Sequence, residues 1–224
     1  MPITTPEIKI KDVKRFGAKI VQHGDNVNSA LEEALKISKK KKLTFVHPFD
    51  DPEVIAGQGT IGMEILRQHT GGIDAIFLPV GGGGLLGGSA LAARAMAPEC
   101  RVIGVEPELA DDAARSFSGG ERVGFATPPP TLADGLRGSI GVLPFELFRS
   151  HVDDVLTVSE RAIVAAMRVM LEECCLLIEP SSAVPVAALL EGRLGAPGEA
   201  VGIILSGGNV DLSVCPFLAG RTAS

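Results

Sequence analysis

Four consecutive glycines at positions 81–84 lie between two apolar segments, and they constrain the fold of this chain more than any other feature. The segment before them, residues 73–80, is short, β-branched and aromatic, as is typical of a buried strand. The segment after them, residues 85–96, is rich in small apolar residues and predicts a helix that ends before Pro98. A helix N-terminus carries free backbone N–H groups and partial positive charge. The strand–loop–helix order therefore predicts an anion site, most naturally for a phosphate.

Strand-like and helix-like segments alternate along the rest of the chain. Strands are predicted at 18–22, 43–48, 73–80, 100–105, 155–158 and 200–205. Helices are predicted at 6–15, 29–42, 57–67, 85–96, 159–174 and 184–190. This alternation predicts an α/β fold with a mainly parallel sheet, whose ligand sites lie at the carboxyl ends of the strands. Glycine-rich turns follow Val80 and Leu205 at two such ends, and Glu106 lies at a third.

Composition and charge argue against several classes of protein. The net charge of −6 disfavours a nucleic-acid or membrane-surface protein, and no stretch is long and apolar enough to cross a bilayer. The lysines at 39–42 end a predicted helix, where they suit the helix dipole and water. Four cysteines without C-x-x-C spacing predict buried, reduced thiols: Cys100, Cys174, Cys175 and Cys215. No secretory signal is visible, and a cytoplasmic location is expected.

The glycine loop has a second interpretation. Gly82, Gly84 and Gly87 match the G-x-G-x-x-G fingerprint of dinucleotide-binding proteins. Glu106 ends the next predicted strand, about where an acid binds a ribose hydroxyl in such proteins. An NAD-binding oxidoreductase is therefore an alternative function. A lone fingerprint is a weak signal, however, and the wider sequence provides a different context.

Several short runs follow one another in a recognisable order. They are Thr4-Thr5-Pro6 with Lys9 and Gly17-Ala18, then Ala56-Gly57-Gln58-Gly59-Thr60, Pro79-Val80-Gly81-Gly82-Gly83-Gly84-Leu85, Gly104-Val105-Glu106-Pro107, Ala133-Asp134-Gly135, Ile178-Glu179-Pro180-Ser181-Ser182-Ala183 and Ser206-Gly207-Gly208-Asn209. The ordered set resembles the pyridoxal-phosphate (PLP) dependent serine/threonine dehydratases, or ammonia-lyases, and serine racemases of fold type II. The resemblance implies a three-layer α/β fold with a twisted sheet, like that of tryptophan synthase β.

The resemblance also predicts how the chain is divided. Residues 1–224 are expected to match the C-terminal two thirds of such an enzyme, so that the fold is truncated at its N-terminus. Residues 1–47 would be the remainder of the small domain, and residues 48–224 the large PLP-binding domain. A homodimer is implied for the complete family form.

Individual residues acquire roles from the resemblance. The cofactor phosphate would be held by backbone N–H groups of the glycine loop, from Gly81, Gly82, Gly83, Gly84 and Leu85. Ser206 would place its hydroxyl at the pyridine nitrogen, and Glu179 would lie beside the cofactor. Considered without the resemblance, Ser206 is a turn residue and Glu179 a helix-cap carboxylate.

Three further positions match the divalent-cation site of the family. They are Glu106, Ala110 through its backbone carbonyl, and Asp112. Oxygen ligands of this kind suit Mg²⁺ or Ca²⁺. The alternative is an acidic helix start, because Glu108, Asp111 and Asp112 would each favour an N-terminal turn.

The implied reaction is β-elimination of water from L-threonine or L-serine, which yields 2-oxobutanoate or pyruvate plus ammonia. A serine racemase of the same family is an alternative. All lysines lie at or before Lys42, however, and none matches the Schiff-base lysine of the family. We therefore predict no catalytic lysine in this chain and little or no dehydratase activity. A noncatalytic homologue is the remaining alternative.

Overall fold

The structure is a computed structural model that describes residues 1–193, 195, 198–212 and 217. Its helices are α1 (Glu7–Arg15), α2 (Val27–Lys41), α3 (Pro52–Gln68), α4 (Gly84–Met96), α5 (Asp112–Gly119), α6 (Val142–His151), α7 (Glu160–Cys174) and α8 (Pro180–Leu190). Its strands are β1 (Ala75–Pro79), β2 (Arg101–Pro107), β3 (Asp154–Val158) and β4 (Val201–Ile203). Short 3₁₀ turns span Glu108–Ala110 and Asp134–Leu136. Within the described ranges, no helix has the length and apolar character needed to cross a membrane.

The four strands form one parallel sheet in the order β3-β2-β1-β4. In this register Ala75 pairs with Arg101 on one side and with Val201 on the other. Because all strands run in the same direction, their carboxyl ends meet at one edge of the sheet. The expected α/β fold with a parallel sheet is therefore confirmed.

The core lies on both faces of the sheet. Phe77 of β1 is fully buried and belongs to a cluster with Val184 of α8. Leu78 points to the opposite face, where it belongs to a cluster with Leu86 of α4 and Phe148 of α6. Helices thus cover both faces, and this three-layer arrangement explains why β1 is apolar and buried along its whole length.

Two predicted strands do not form. Residues 18–22 and 43–48, all of which are described, belong to no strand. Residues 21–23 pair only with Met1, whose amino group donates to Val21 O at 2.9 Å and whose carbonyl accepts from His23 N at 3.0 Å. Since a strand needs a ladder of hydrogen bonds to a neighbour, one such pairing leaves the segment irregular and Val21 51% exposed.

Helix α3 begins five residues before its predicted start at Gly57. The carboxylate of Asp51 accepts hydrogen bonds from Glu53 N and Val54 N, and Pro52 takes the first helical position. Both features are typical of helix starts, so the helix begins at Pro52 and not at Gly57. Helix α6 was not predicted, and the start of α5 at Asp112 was predicted only as the alternative to the cation site.

The expectation of buried thiols holds for one of the cysteines. Cys100 is buried, whereas Cys174 and Cys175 are exposed at the end of α7, and all three are free. Cys215 lies outside the described residues. Burial also raises the pKa of the Cys100 thiol.

Candidate functional site

The glycine loop connects the carboxyl end of β1 to the first turn of α4. Gly83 caps this helix with a left-handed backbone, φ 88°. The first intrahelical bond runs from Gly87 N to Gly83 O, at 2.9 Å. The N–H groups of Gly84, Leu85 and Leu86 precede it, so they have no partner within the helix. They are available to an anion at the positive end of the helix dipole.

Close packing explains why the loop consists of glycines. A Cβ at Gly82 would overlap the ring of Phe49. A Cβ at Gly83 would lie 2.7 Å from the Cβ of Pro144, and one at Gly81 would lie 3.2 Å from Gly135 O. Three neighbouring segments therefore enclose the loop, so it is a fitted turn rather than merely a flexible one.

Phe49 forms one wall of the loop, and two contacts hold it there. The carboxylate of Asp50 accepts hydrogen bonds from Val142 N and Leu143 N, both at 2.9 Å, at the start of α6. His47 Nδ1 accepts from Asp50 N at 2.8 Å, and its ring meets Phe49 edge-on at 4.8 Å between centroids. This segment thereby joins the start of α6 to the glycine loop.

Ser206 shares a cavity with the glycine loop. After β4 the chain continues beside β1, and Ile204 N donates to Phe77 O at 3.0 Å. Ser206 then lines a cavity of about 220 Å³ together with Gln58 and all four loop glycines. Ser206 follows β4 and the N-terminus of α4 follows β1, and these two strands are hydrogen-bonded neighbours. The sequence prediction placed both groups at the same sheet edge, and the structure brings them together.

Glu179 lies beside the loop that contains Ser206. Its N–H donates to Gly207 O at 3.1 Å, and a Cβ at Gly207 would lie 2.5 Å from Glu179 Oε1. Glu179 takes the N-cap position of α8, yet its side chain makes no capping hydrogen bond there. The helix-cap interpretation is therefore wrong for the carboxylate. Glu179 Oε2 is buried and has no hydrogen-bond partner among the described residues.

Lys9 of α1 adds the positive charge of the site. Its ammonium donates to Asp134 Oδ2 at 2.8 Å and forms an ion pair with Glu179 Oε2 at 2.9 Å. Burial lowers the pKa of Lys9, but its contacts with Asp134 and Glu179 outweigh that effect and raise the pKa above its ordinary value. Lys9 lines a second cavity of about 580 Å³, which shares Phe49 and Gly82 with the first.

The predicted cation site has a different arrangement. Glu106 is 1% exposed, and its carboxyl accepts hydrogen bonds from Ala114 N at 2.7 Å and Ala113 N at 3.3 Å. Asp112 Oδ2 accepts from Ile140 N at 2.7 Å. Burial raises the pKa of Glu106 to about 9 and that of Asp112 to about 6.

These contacts do not support the predicted Mg²⁺ or Ca²⁺ site at Glu106, Ala110 and Asp112. In the described part of the chain, no three His, Cys, Asp or Glu residues form a group that could hold a metal ion. The structure also argues against the NAD interpretation, which needs Glu106 to bind a ribose hydroxyl. The Glu106 carboxyl is buried and accepts hydrogen bonds from the backbone of α5, so it is not open to a ribose hydroxyl.

Sequence reasoning missed part of the site. Phe49 lies between a predicted strand and a predicted helix, and its contact with the glycine loop has no local signal in the sequence. Gln58 belonged to a recognised run, but only the fold places it in the cavity. Lys9 and Asp134 are 125 residues apart, so their ion pair could not be deduced from spacing.

Comparisons with known proteins agree with this geometry. Residues 1–207 match the family described as "Pyridoxal-phosphate dependent enzyme". The chain is 41% identical over 217 residues to the beta-hydroxyaspartate dehydratase of Paracoccus denitrificans (strain Pd 1222), an alignment that covers 97% of this chain and 68% of that protein. The solved threonine deaminase of T.th. has a TM-score of 0.85 and 42% identity, covering 91% of this chain and 67% of that one. Maize serine racemase has a TM-score of 0.88 and 37% identity, covering 95% of this chain and 65% of that one. The chain therefore spans about two thirds of the length of each.

Proposed function

This chain belongs to the pyridoxal-phosphate dependent enzymes, and we propose that it holds PLP at the carboxyl edge of its sheet. The observation that carries the proposal is the cavity shared by the glycine loop and Ser206. One side offers helix N–H groups for a phosphate, and the other offers a neutral hydroxyl for a ring nitrogen. When bound, PLP supplies an electron sink for bonds at the α-carbon of an amino acid.

The residues present fit this cofactor in three respects. The Gly83 cap and its walls leave the first N–H groups of α4 open at the anion end. Glu179 lies beside the loop that contains Ser206, where its N–H donates to Gly207 O and its carboxylate is paired with Lys9. The adjoining cavity of about 580 Å³ leaves space for a substrate beside the cofactor.

We assign the chain's own residues the following work. The N–H groups at the start of α4 bind and orient the phosphate, and Ser206 orients the ring without giving it a charge. Phe49 closes the loop on one side and keeps water from the anion, since desolvation strengthens these hydrogen bonds. The 1–47 and 48–224 segments are proposed as two domains, with the larger cavity lined by both.

The substrate is proposed to be a β-hydroxy amino acid, L-threonine or L-serine, and the reaction of the complete enzyme to be loss of water and ammonia. The names of the relatives support this class, since they include a dehydratase, a deaminase and a racemase. Racemisation of serine is the alternative on the same site. The chain of 224 residues is proposed to bind the cofactor with little or no elimination activity, because its nine lysines all lie within residues 1–42 and Lys9, which lines the cavity, is paired with two carboxylates.

The test is an absorbance titration of the purified chain with PLP, followed by borohydride reduction, intact mass and peptide mapping. We expect saturable binding that inorganic phosphate competes away, with no covalent mass gain. Assays with L-serine, L-threonine and threo-3-hydroxyaspartate should yield no 2-oxo acid above the rate with free PLP.

Absence of PLP binding, together with tight binding of NAD⁺, would replace this proposal by the oxidoreductase alternative. A mass gain that maps to one lysine would contradict the expectation of noncovalent binding. Steady release of a 2-oxo acid would contradict the expected inactivity and would also identify the substrate.

A further inference from the structure

We propose that Lys9 is a positioning residue whose ammonium holds helix α1 against the cofactor site and so sets how far the larger cavity is closed. The effect on PLP rests on the function proposed above. The effect on α1 does not depend on the cofactor. Nothing in the family resemblance assigns this role to Lys9.

The contacts of Lys9 join three separate elements. Lys9 lies on α1, Asp134 on the 3₁₀ turn Asp134–Leu136, and Glu179 at the start of α8. The ammonium lies 2.8 Å from one carboxylate and 2.9 Å from the other. The three side chains are 24%, 19% and 14% exposed, so solvent screens their charges less than at an open surface.

Helix α1 has little else to hold it in place. All nine of its residues are described, and Ile10 is its one buried side chain. A helix of this length is marginal without tertiary contacts. A paired charge next to the site therefore contributes a large part of its docking energy.

The position of α1 also determines the width of the larger cavity. Thr5, Pro6 and Lys9 line it from the N-terminal side, and Phe49 and Gly82 line it from the other side. Gly135 also lines the cavity, and a Cβ built on it would lie 3.9 Å from Lys9 Nζ. If α1 moves away from the 3₁₀ turn Asp134–Leu136 and the start of α8, the cavity opens and a bound cofactor becomes exposed to water.

The charge state of Lys9 favours positioning over nucleophilic attack. Its raised pKa keeps the amine protonated at neutral pH, and a protonated amine cannot attack a carbonyl. Without the ammonium that both of them contact, the carboxylates of Asp134 and Glu179 would lie close together unneutralised. Repulsion and hydration of these groups would favour the open arrangement.

The apparent affinity for a ligand that needs the closed arrangement scales with the closed fraction. Loss of the Lys9 charge is therefore expected to weaken PLP binding about tenfold, because a charge-assisted contact of this exposure is worth about that factor. The same loss should raise amide exchange in α1 by a similar factor in the absence of PLP.

The experiment compares Lys9→Met, Lys9→Arg and the control Lys11→Met in the full chain. Lys11 is exposed on the same helix. Hydrogen exchange of residues 7–16 is measured without PLP, and PLP affinity is measured by absorbance titration. Lys9→Met should exchange about tenfold faster and bind PLP about tenfold more weakly, Lys9→Arg should recover most of both, and Lys11→Met should stay within about twofold of the parent.

The two readouts separate the two proposals. If the parent protein binds no PLP but Lys9→Met still exchanges faster and Lys9→Arg recovers, the cofactor proposal fails and the role of Lys9 stands. Unchanged exchange and affinity in Lys9→Met would overturn the role of Lys9, as would Lys9→Arg behaving like Lys9→Met. Should Lys9→Met not fold, Asp134→Asn replaces it, and a rate of exchange equal to that of the parent then overturns the role.

Discussion

The carboxyl ends of β1 and β2 lie side by side, with Pro79 opposite Val105, yet they finish in opposite ways. At β1 the glycine loop leads into α4, whose first N–H groups stay open toward a cavity. At β2 the chain turns through a short 3₁₀ segment into α5, in which Ala113 N and Ala114 N donate to the Glu106 carboxyl. One end is left for a ligand, and the other is satisfied by the protein.

This difference teaches that a polar residue at a strand end is not in itself a ligand site. The strand, glycines and helix predicted an anion site at β1, whereas the fingerprint predicted a ribose-binding acid at β2 and the family resemblance implied a cation site there. What separates them is the path of the following helix. An N-terminus directed at a cavity offers its N–H groups to a ligand, whereas one directed at a buried carboxyl uses them within the fold.

The largest effect on stability and PLP binding is expected when a side chain blocks the glycine loop that follows β1. Gly83→Val places a β-branched side chain on a backbone with a left-handed φ of 88°. Its Cβ would also lie 2.7 Å from the Cβ of Pro144. We expect the free energy of unfolding to fall by about 3 kcal/mol, from backbone strain and overpacking together. PLP affinity should fall below detection in an absorbance titration.

Gly119→Ala is the matched control, because a Cβ there meets nothing within 4 Å. Its unfolding free energy should change by at most about 0.5 kcal/mol, and its PLP affinity should stay at the parent value. A Gly83→Val protein that bound PLP as tightly as its parent would show that the loop is not the anion site.

The buried carboxyls that follow β2 should make the stability of the protein depend on pH. Since the pKa of Glu106 is raised to about 9 and that of Asp112 to about 6, the folded protein keeps protons that the unfolded chain releases near pH 4. Stability from these groups is fully present below about pH 4 and is lost as pH rises through about 6 and then about 9. We expect the free energy of unfolding to fall by about 2–3 kcal/mol between about pH 6 and pH 9. A single group can contribute at most about 1.4 kcal/mol per pH unit, so this fall is within the possible range.

Urea unfolding in the presence of EDTA measures this loss. Glu106→Gln has no carboxyl proton to release, so the free energy of unfolding should depend less on pH in this variant. Glu146→Gln, at an exposed side chain, should leave that pH dependence unchanged. A stabilisation by CaCl₂ that grew from pH 6 to pH 8 would mean that Glu106 and Asp112 bind a cation after all.

A smaller effect is expected from the wall of the open end. Asp50→Ala removes two hydrogen bonds to the start of α6 and releases the segment that holds Phe49 over Gly82. Loss of such a cap costs about 1 kcal/mol of unfolding free energy. PLP affinity should also fall, by about fivefold, because Phe49 no longer shields the loop.

Asp51→Ala serves as the comparison for that variant. It removes the cap of α3, at Glu53 N and Val54 N, without touching α6. Thermal unfolding should shift by a similar amount in both variants, but only Asp50→Ala should weaken PLP binding. Equal PLP affinities in the two would mean that Phe49 does not contribute to the site.

The smallest effect is expected at Ser206. Its side chain is exposed, so Ser206→Ala should alter unfolding free energy by at most about 0.5 kcal/mol. Loss of one neutral hydrogen bond to a ring nitrogen should weaken PLP binding about threefold. Ser150→Ala, on the exposed end of α6, should change neither quantity. An unchanged PLP affinity in Ser206→Ala would remove the hydroxyl from the site.

Much of the fold could be predicted from the sequence because it depends on local patterns. The apolar segments that became β1, β2, β3 and β4 were all identified, and so was the start of α4 after the glycines. Short buried strands and helix starts are encoded within a few residues. Segments 18–22 and 43–48 have the same local character but form no strand, since a strand also depends on a neighbour that local patterns do not supply.

Some residues of the candidate site could be predicted from the sequence, and others could not. Local pattern predicted the glycine loop as an anion site, whereas the roles of Ser206 and Glu179 came from the resemblance of their runs to a known family. Only the tertiary structure placed Phe49 over the loop, paired Lys9 with Asp134 and Glu179, and turned the N-terminus of α5 onto Glu106. These contacts join residues far apart in the chain, and their energies arise from packing and desolvation that exist only once the layers have assembled.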